Sequence, residues 1–145
     1  MSRRFPEHEN LDLPKINQEI SEQWKEQDTF RKSIDIRKEN PDFIFFEGPP
    51  SANGMPGIHH VMARTIKDLF CRYKTQKGFK VLRKAGWDTH GLPVELGVEK
   101  KLGITKEDIG KNISIAKYNE ECRSEVMKYT DSWEELTEKL GYWVD

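Results

Sequence analysis

The sequence predicts an α/β fold of parallel strands with flanking helices, and three observations carry that prediction. Two short apolar runs, Phe43 to Phe46 (FIFF) and Phe79 to Leu82, are rich in the aromatic and branched residues that strands favour. Between them Met62, Ile66, Leu69, Phe70 and Tyr73 recur at helical spacing, so the unit reads strand, loop, helix, strand. A right-handed crossover makes such strands parallel neighbours, and each run ends abruptly in a loop of unusual composition.

Residues 14–33, ahead of this unit, place Ile16, Ile20 and Trp24 four apart among charged side chains, which sets one apolar stripe on a helix that should pack against the rest of the domain. Asn40-Pro41-Asp42 signals a turn, after which FIFF is apolar enough for a buried strand. Gly78 stops the helix after the first loop, and Gly103 stops a further helix over 94–102. Thr105, with Asp108 three positions on, fits a capping box. From Ser114, the residues Ile115, Tyr118, Cys122, Val126, Tyr129, Trp133, Leu136 and Leu140 keep a spacing of three and four, which predicts one long amphipathic helix.

The totals bound the function. A chain of 145 residues has room for one ordinary domain, not two. Charged residues make up 34% and hydrophobic ones 35%, with no apolar run near the roughly 18 residues a membrane helix needs, so a soluble, cytoplasmic protein without a membrane partner is expected. The opening MSRRFPEHENLDLP resembles neither a secretory nor an organelle-targeting leader. Cys71 and Cys122 should be free thiols, being too few for a disulfide scaffold. At a formal net charge of -1, with Lys and Arg scattered among acids, no basic stripe marks a nucleic-acid surface.

Chemistry concentrates in the two loops, because ligands of open parallel sheets bind beyond the carboxyl ends of the strands, where helix N-termini offer free N–H groups. The first, Gly48 to His60 (GPPSANGMPGIHH), has three glycines and three prolines, a path that is stiff and lets a flat or charged ligand approach the backbone. His59 and His60 open the following helix, where a phosphate is favoured. No Gly-Lys-Ser/Thr follows, so this is not a Walker loop, and on composition alone a Gly/Pro loop between strand and helix is usually just a turn. The adjacent histidines diverge by about 100 degrees on a helix, and Cys71 and His90 complete no zinc spacing, so no metal site is expected. The second loop sets Trp87, Asp88 and His90 between Gly86 and Gly91. There Asp88 either holds a substrate ammonium or caps a turn while Trp87 fills the core.

PPSANG ahead of the histidine motif, followed by GWDTHGLPVE, resembles the isoleucyl-tRNA synthetases, which are class I aminoacyl-tRNA synthetases. The likeness runs from the Trp24 helix through FEGPPSANG, TIKDLFCRYKTQKGFKV and Leu102-Gly103-Ile104 to the closing LGYWVD. Leucyl enzymes usually have an alanine-phenylalanine pair where Thr89-His90 stand, and valyl enzymes an Asp-His-Ala-Gly stretch, so the resemblance points to isoleucine.

The family implies a Rossmann catalytic domain that joins isoleucine to ATP, with Mg2+, as an aminoacyl-adenylate and then passes the acyl group to tRNA(Ile). Under that resemblance residues 1–40 are an N-terminal helical extension and 41–145 the incomplete first half of the catalytic domain. Pro49 and Pro50 line the isoleucine side-chain pocket, and Asp88, with His90 beside it, takes the amino group. Gly57, Ile58, His59 and His60 meet ATP, Asn53 and Gly54 shape the loop between the two ligands, and His59 and His60 donate hydrogen bonds as charge builds on the phosphates. The whole enzyme is expected to be a monomer, with most of its tRNA contacts outside this chain.

One departure stands out. The family's usual His-x-Gly-His order appears here as Gly57-Ile58-His59-His60, with the first and third positions exchanged. His59 should therefore crowd the nucleotide unless it turns outward, which predicts an active site with altered nucleotide contacts and weaker binding of inhibitors that fill the ordinary pocket. The Lys-Met-Ser-Lys-Ser-like loop, the second half of the nucleotide fold, the editing insertion and the anticodon-binding region are not among these residues. Two alternatives accompany the ligase reading: a nucleotide- or adenylate-binding module with no ligase activity of its own, and a fragment left incompletely folded by uncovered sheet edges and helix faces.

Overall fold

A computed structural model describes residues 10–145 of the chain. The first nine residues, which carry most of the expectation about a leader, lie outside the described residues. The element order is α1 (Leu13–Glu26), α2 (Thr29–Asp35), β1 (Asp42–Ile44), α3 (Ile58–Gln76), β2 (Lys80–Leu82), α4 (Leu92–Leu102), a 3-10 turn (Lys106–Asp108), α5 (Ile115–Glu125) and α6 (Thr130–Lys139). The architecture is α/β and rich in helix, with a small two-stranded sheet.

The strands pair in parallel, Asp42 with Lys80, Phe43 with Val81 and Ile44 with Leu82, as the strand-helix-strand pattern requires. The C-terminal segment joins on the far side of β2. Asp145 N–H donates to Arg83 O at 2.7 Å and Ala85 N–H to Asp145 O at 2.8 Å, which is the bonding of a parallel neighbour.

Burial of the first strand differs from the sequence expectation. Phe43 and Phe45 are half-buried, but Ile44 is 72% and Phe46 88% exposed. β1 has one strand neighbour, and among the described residues nothing covers its outer face.

Two expected helices are each broken in two. The stripe over 14–33 is interrupted after Glu26, where Asp28 takes a left-handed φ of 49°, a conformation aspartate tolerates better than most residues. The bend presents Phe30 to Trp143, with ring centroids 5.8 Å apart, while Trp24 meets the same indole edge-on at 5.1 Å. Gly141, at φ +59°, makes this possible, since a Cβ there would lie 3.1 Å from Trp24. The helix thus lies against the later part of the chain, as its stripe implied.

The long helix expected from Ser114 likewise splits into α5 and α6, because Tyr129 N–H leaves the helical pattern to donate to Ala52 O in the first loop at 3.3 Å. Other signals hold. Gly78 (φ 93°) and Gly103 (φ 66°) terminate their helices, and Asp108 accepts from Thr105 N–H at 2.9 Å. Cys71 and Cys122 are free.

The core is small and partly polar. Val94 and Val98 of α4 and Tyr118 of α5 are buried where those helices pack. Under α3, Arg83 is only 3% exposed and donates to Asp68 Oδ1 at 2.8 Å and Thr75 Oγ1 at 3.2 Å. Among the described residues no helix is long and apolar enough to cross a membrane.

Candidate functional site

The loops after β1 and β2 are bonded to each other. Asp88 N–H donates to Pro50 O at 2.9 Å and Ala52 N–H to Asp88 O at 3.2 Å, so Ser51 and Asp88 form an isolated parallel bridge beyond the strand ends. Asn53 extends the contact, donating from Nδ2 to Pro93 O at the start of α4, 2.9 Å away. Proline-rich chain that cannot supply its own ladder is thereby fixed by its neighbour.

The structure brings Pro50, Asn53 and Asp88 together in this way, with Pro49 at the rim. Pro49 is exposed and lines a groove of about 370 Å³ together with Phe46, Leu82 and Gly86. Asp88 is half-buried and accepts from His90 N–H at 3.3 Å and from Ser51 Oγ at 3.5 Å. Both bonds are long, so the carboxylate closes a turn and keeps acceptor capacity for a cation. The turn-capping and ligand-holding readings of Asp88 are thus compatible. His90 is exposed, with Nδ1 3.1 Å from Thr89 Oγ1, and its ring has no bond to Asp88.

At the other end of the first loop, Gly57 is the N-cap of α3 and Ile58 its first residue, 74% exposed. Gly57 N–H donates to His60 Nδ1 at 3.0 Å. That bond leaves the proton of a neutral imidazole on Nε2. Burial, then His59, Arg64 and Lys67, hold the His60 pKa below its ordinary value of 6.5, so the ring is neutral at neutral pH. His59 is exposed, its ring folded back on His60 with centroids 3.8 Å apart. A Cβ built on Gly57 would lie 3.0 Å from His59 Cε1 and 3.1 Å from its Nδ1. The His59 imidazole therefore occupies the room that a side chain at position 57 would need.

Gly54 N–H donates to Ser51 O at 3.1 Å, and Gly54 O accepts from Trp133 Nε1 of α6 at 2.8 Å. Trp133 and Tyr129 belong to the site's framework but carry no motif. Their only sequence signal was membership of an apolar stripe. A cleft of about 500 Å³ lies beside Trp133, which lines it with Arg64, Trp87 and Asp145 among others.

Over residues 19–145 the chain matches the family model described as tRNA synthetases class I (I, L, M and V). The chain belongs to this family. Isoleucine–tRNA ligases of Bacteroides fragilis and Porphyromonas gingivalis are each 67% identical to it over 145 residues, which is 100% of this chain and 13% of theirs. That of Streptomyces coelicolor is 51% identical over 136 residues, or 93% of this chain and 13% of its own. This class I synthetase chain thus spans about 13% of the length of these curated relatives. The resemblance to isoleucyl enzymes read from the two loops is borne out by these relatives.

Proposed function

We propose that the two bonded loops form part of the site at which isoleucine and ATP, with its Mg2+, become isoleucyl-adenylate before transfer to tRNA(Ile). The observation that carries the reading is the pairing of an underused carboxylate, Asp88, with a neutral histidine at a helix N-terminus, His60, on loops that share backbone bonds. The first residues of α3, Ile58 and His59, have backbone N–H groups with no acceptor inside the helix. These face phosphate in the proposed complex.

The reaction needs positioning and charge stabilisation more than a protein nucleophile. The isoleucine carboxylate attacks the α-phosphorus of ATP in line and pyrophosphate leaves, so no covalent enzyme intermediate forms. Asp88 accepts the substrate ammonium, with His90 alongside, and Pro49 and Pro50 border the aliphatic side chain. His60 Nε2–H and His59 donate to phosphate oxygens as negative charge moves onto the leaving group. Asn53, Gly54, Gly57 and Ile58 shape the backbone between the two ligands. With its ring over Gly57, His59 meets the nucleotide from a different direction than a histidine at position 57 would, which supports altered nucleotide contacts.

In the same proposal residues 41–145 are the first half of a Rossmann-like catalytic domain and 1–40 a helical extension. The joining of the C-terminal segment to β2 as a further parallel neighbour supports that reading. Isoleucine-dependent exchange of pyrophosphate with ATP, in a complete ligase that includes these residues, tests the assignment. Asp88→Ala should lower kcat/KM for isoleucine roughly ten- to hundredfold, the worth of a charge-assisted hydrogen bond. Exchange that is unmoved by Asp88→Ala, or that prefers valine or leucine, would overturn it.

A further inference from the structure

One side chain outside both motifs touches the nucleotide end and the amino-acid end of the site together. Trp133 is 2% exposed, and its Nε1–H donates to Gly54 O at 2.8 Å, midway along the first loop. Its ring meets His60 edge-on with centroids 4.6 Å apart and Trp87, the neighbour of Asp88, at 6.2 Å. The guanidinium of Arg64 lies over the same ring, 4.8 Å from its centroid.

The indole is itself held from behind. Arg64 of α3, whose guanidinium lies over the ring, donates to Thr137 Oγ1 of α6 at 2.6 Å, and Thr137 Oγ1 donates to the backbone carbonyl of Trp133 at 2.7 Å, so the guanidinium is tied to the helix that carries the indole. One turn earlier, Tyr129 N–H bonds Ala52 O at 3.3 Å, a second tether from the same stretch to the same loop.

A core-filling residue needs only shape. Here the polar edge of the ring is spent on a loop carbonyl, and its aromatic neighbours are one from each ligand-facing segment, His60 and Trp87. We propose that Trp133 is a positioning residue that sets the spacing between His60 and Asp88. The proposal rests on the adenylate-forming reading of the two loops. In-line attack demands reacting atoms held roughly 3–3.5 Å apart, and a misplacement of about 1 Å can cost on the order of a hundredfold in rate. A rigid indole between the two ligand-binding segments is suited to preventing that drift.

The test is Trp133→Phe in a complete ligase that includes these residues, read by amide hydrogen exchange and by isoleucine-dependent pyrophosphate exchange. Phenylalanine keeps an aromatic ring toward His60 and Trp87, removes the N–H to Gly54 and shortens the ring system, and the Val98 control reports any general loosening from the lost volume. The expected result is exchange at least tenfold faster at the amides of Ala52 and Asp88, with Val98 between α4 and α5 unchanged as an internal control. The accompanying kcat should fall about tenfold or more while the KM values for ATP and isoleucine stay within threefold. Unchanged exchange at Asp88, a kcat within twofold of the parent, or faster exchange spread evenly to Val98 would each overturn the proposal, the last by showing a purely structural role. A parent enzyme without isoleucine-dependent pyrophosphate exchange would refute the functional reading alone, since the amide pattern still decides whether Trp133 couples the loops.

Discussion

The two faces of α3 are built the wrong way round for a helix at the surface of a free-standing domain. One face carries Arg64, Asp68, Cys71, Arg72 and Thr75, all buried or half-buried against β2 and the C-terminal segment. The other carries Ile58, Met62, Ile66, Leu69 and Tyr73, each more than half exposed. Polar groups are tolerated inside because they are paired. Arg83 and Arg72 share the Asp68 carboxylate, at 2.8 and 2.6 Å, and Tyr142 and Lys67 share Glu47. Position in the helix therefore does not track hydrophobicity here. What is buried is what is satisfied, and the apolar stripe is the uncovered surface.

That contrast predicts an unusual order of mutational costs. Arg83→Ala should be the most damaging, lowering stability by roughly 3 kcal/mol in denaturant melts, because it strips a buried carboxylate of one partner and leaves a cavity. Tyr142→Phe, which removes the 2.6 Å bond to Glu47, should cost about 2 kcal/mol. Thr75→Val keeps shape and loses the acceptor facing Arg83, for about 1 kcal/mol. Ile66→Ser on the opposite face should stay within roughly 0.5 kcal/mol while reducing binding of an apolar dye. A large loss for Ile66→Ser together with a small one for Arg83→Ala would reverse the comparison.

The paired face also sets two pH responses. The Tyr142 pKa is raised above its ordinary value of 10, by burial first and then by its bond to Glu47. The unfolded chain thus gives up that proton first, and stability falls as pH rises above 10. Tyr118, pushed up to about 12 mainly by burial, adds to the same decline, so Tyr142→Phe should lessen it without abolishing it. His60 has a lowered pKa, so below its ordinary value of 6.5 the unfolded chain binds a proton that the folded chain refuses. Stability should drop as pH falls through that value, and His60→Gln should flatten the drop in pH-dependent melts.

Much of the fold was legible because its signals are local. Aromatic runs bounded by glycine and proline mark the strands, and Gly78 and Gly103 mark helix ends through backbone conformations that side chains disfavour. The breaks at Asp28 and before Thr130 were not legible, because the spacing of three and four runs straight across both. Contacts distant in sequence, Phe30 with Trp143 and Tyr129 with Ala52, decide where the chain bends. The exposure of Ile44 and Phe46 escaped for a related reason, since composition shows that a strand wants cover and not whether a neighbour supplies it. The site divides the same way. Its loops are spelled out in PPSANG and GWDTHG, whereas Trp133 signalled only burial, its bonding partner Gly54 being 79 residues away.

The most direct test of the adenylate-site assignment is an NMR and thermal-shift titration of a complete ligase that includes these residues. Its ligands are non-hydrolysable isoleucyl-, valyl- and leucyl-adenylate analogues. Stabilisation should be strongest with the isoleucyl analogue, with shifts at Ala52, His60 and Asp88 together, and that preference should be lost in Asp88→Ala. Equal stabilisation by all three analogues, or an isoleucyl preference that survives Asp88→Ala, would contradict the assignment.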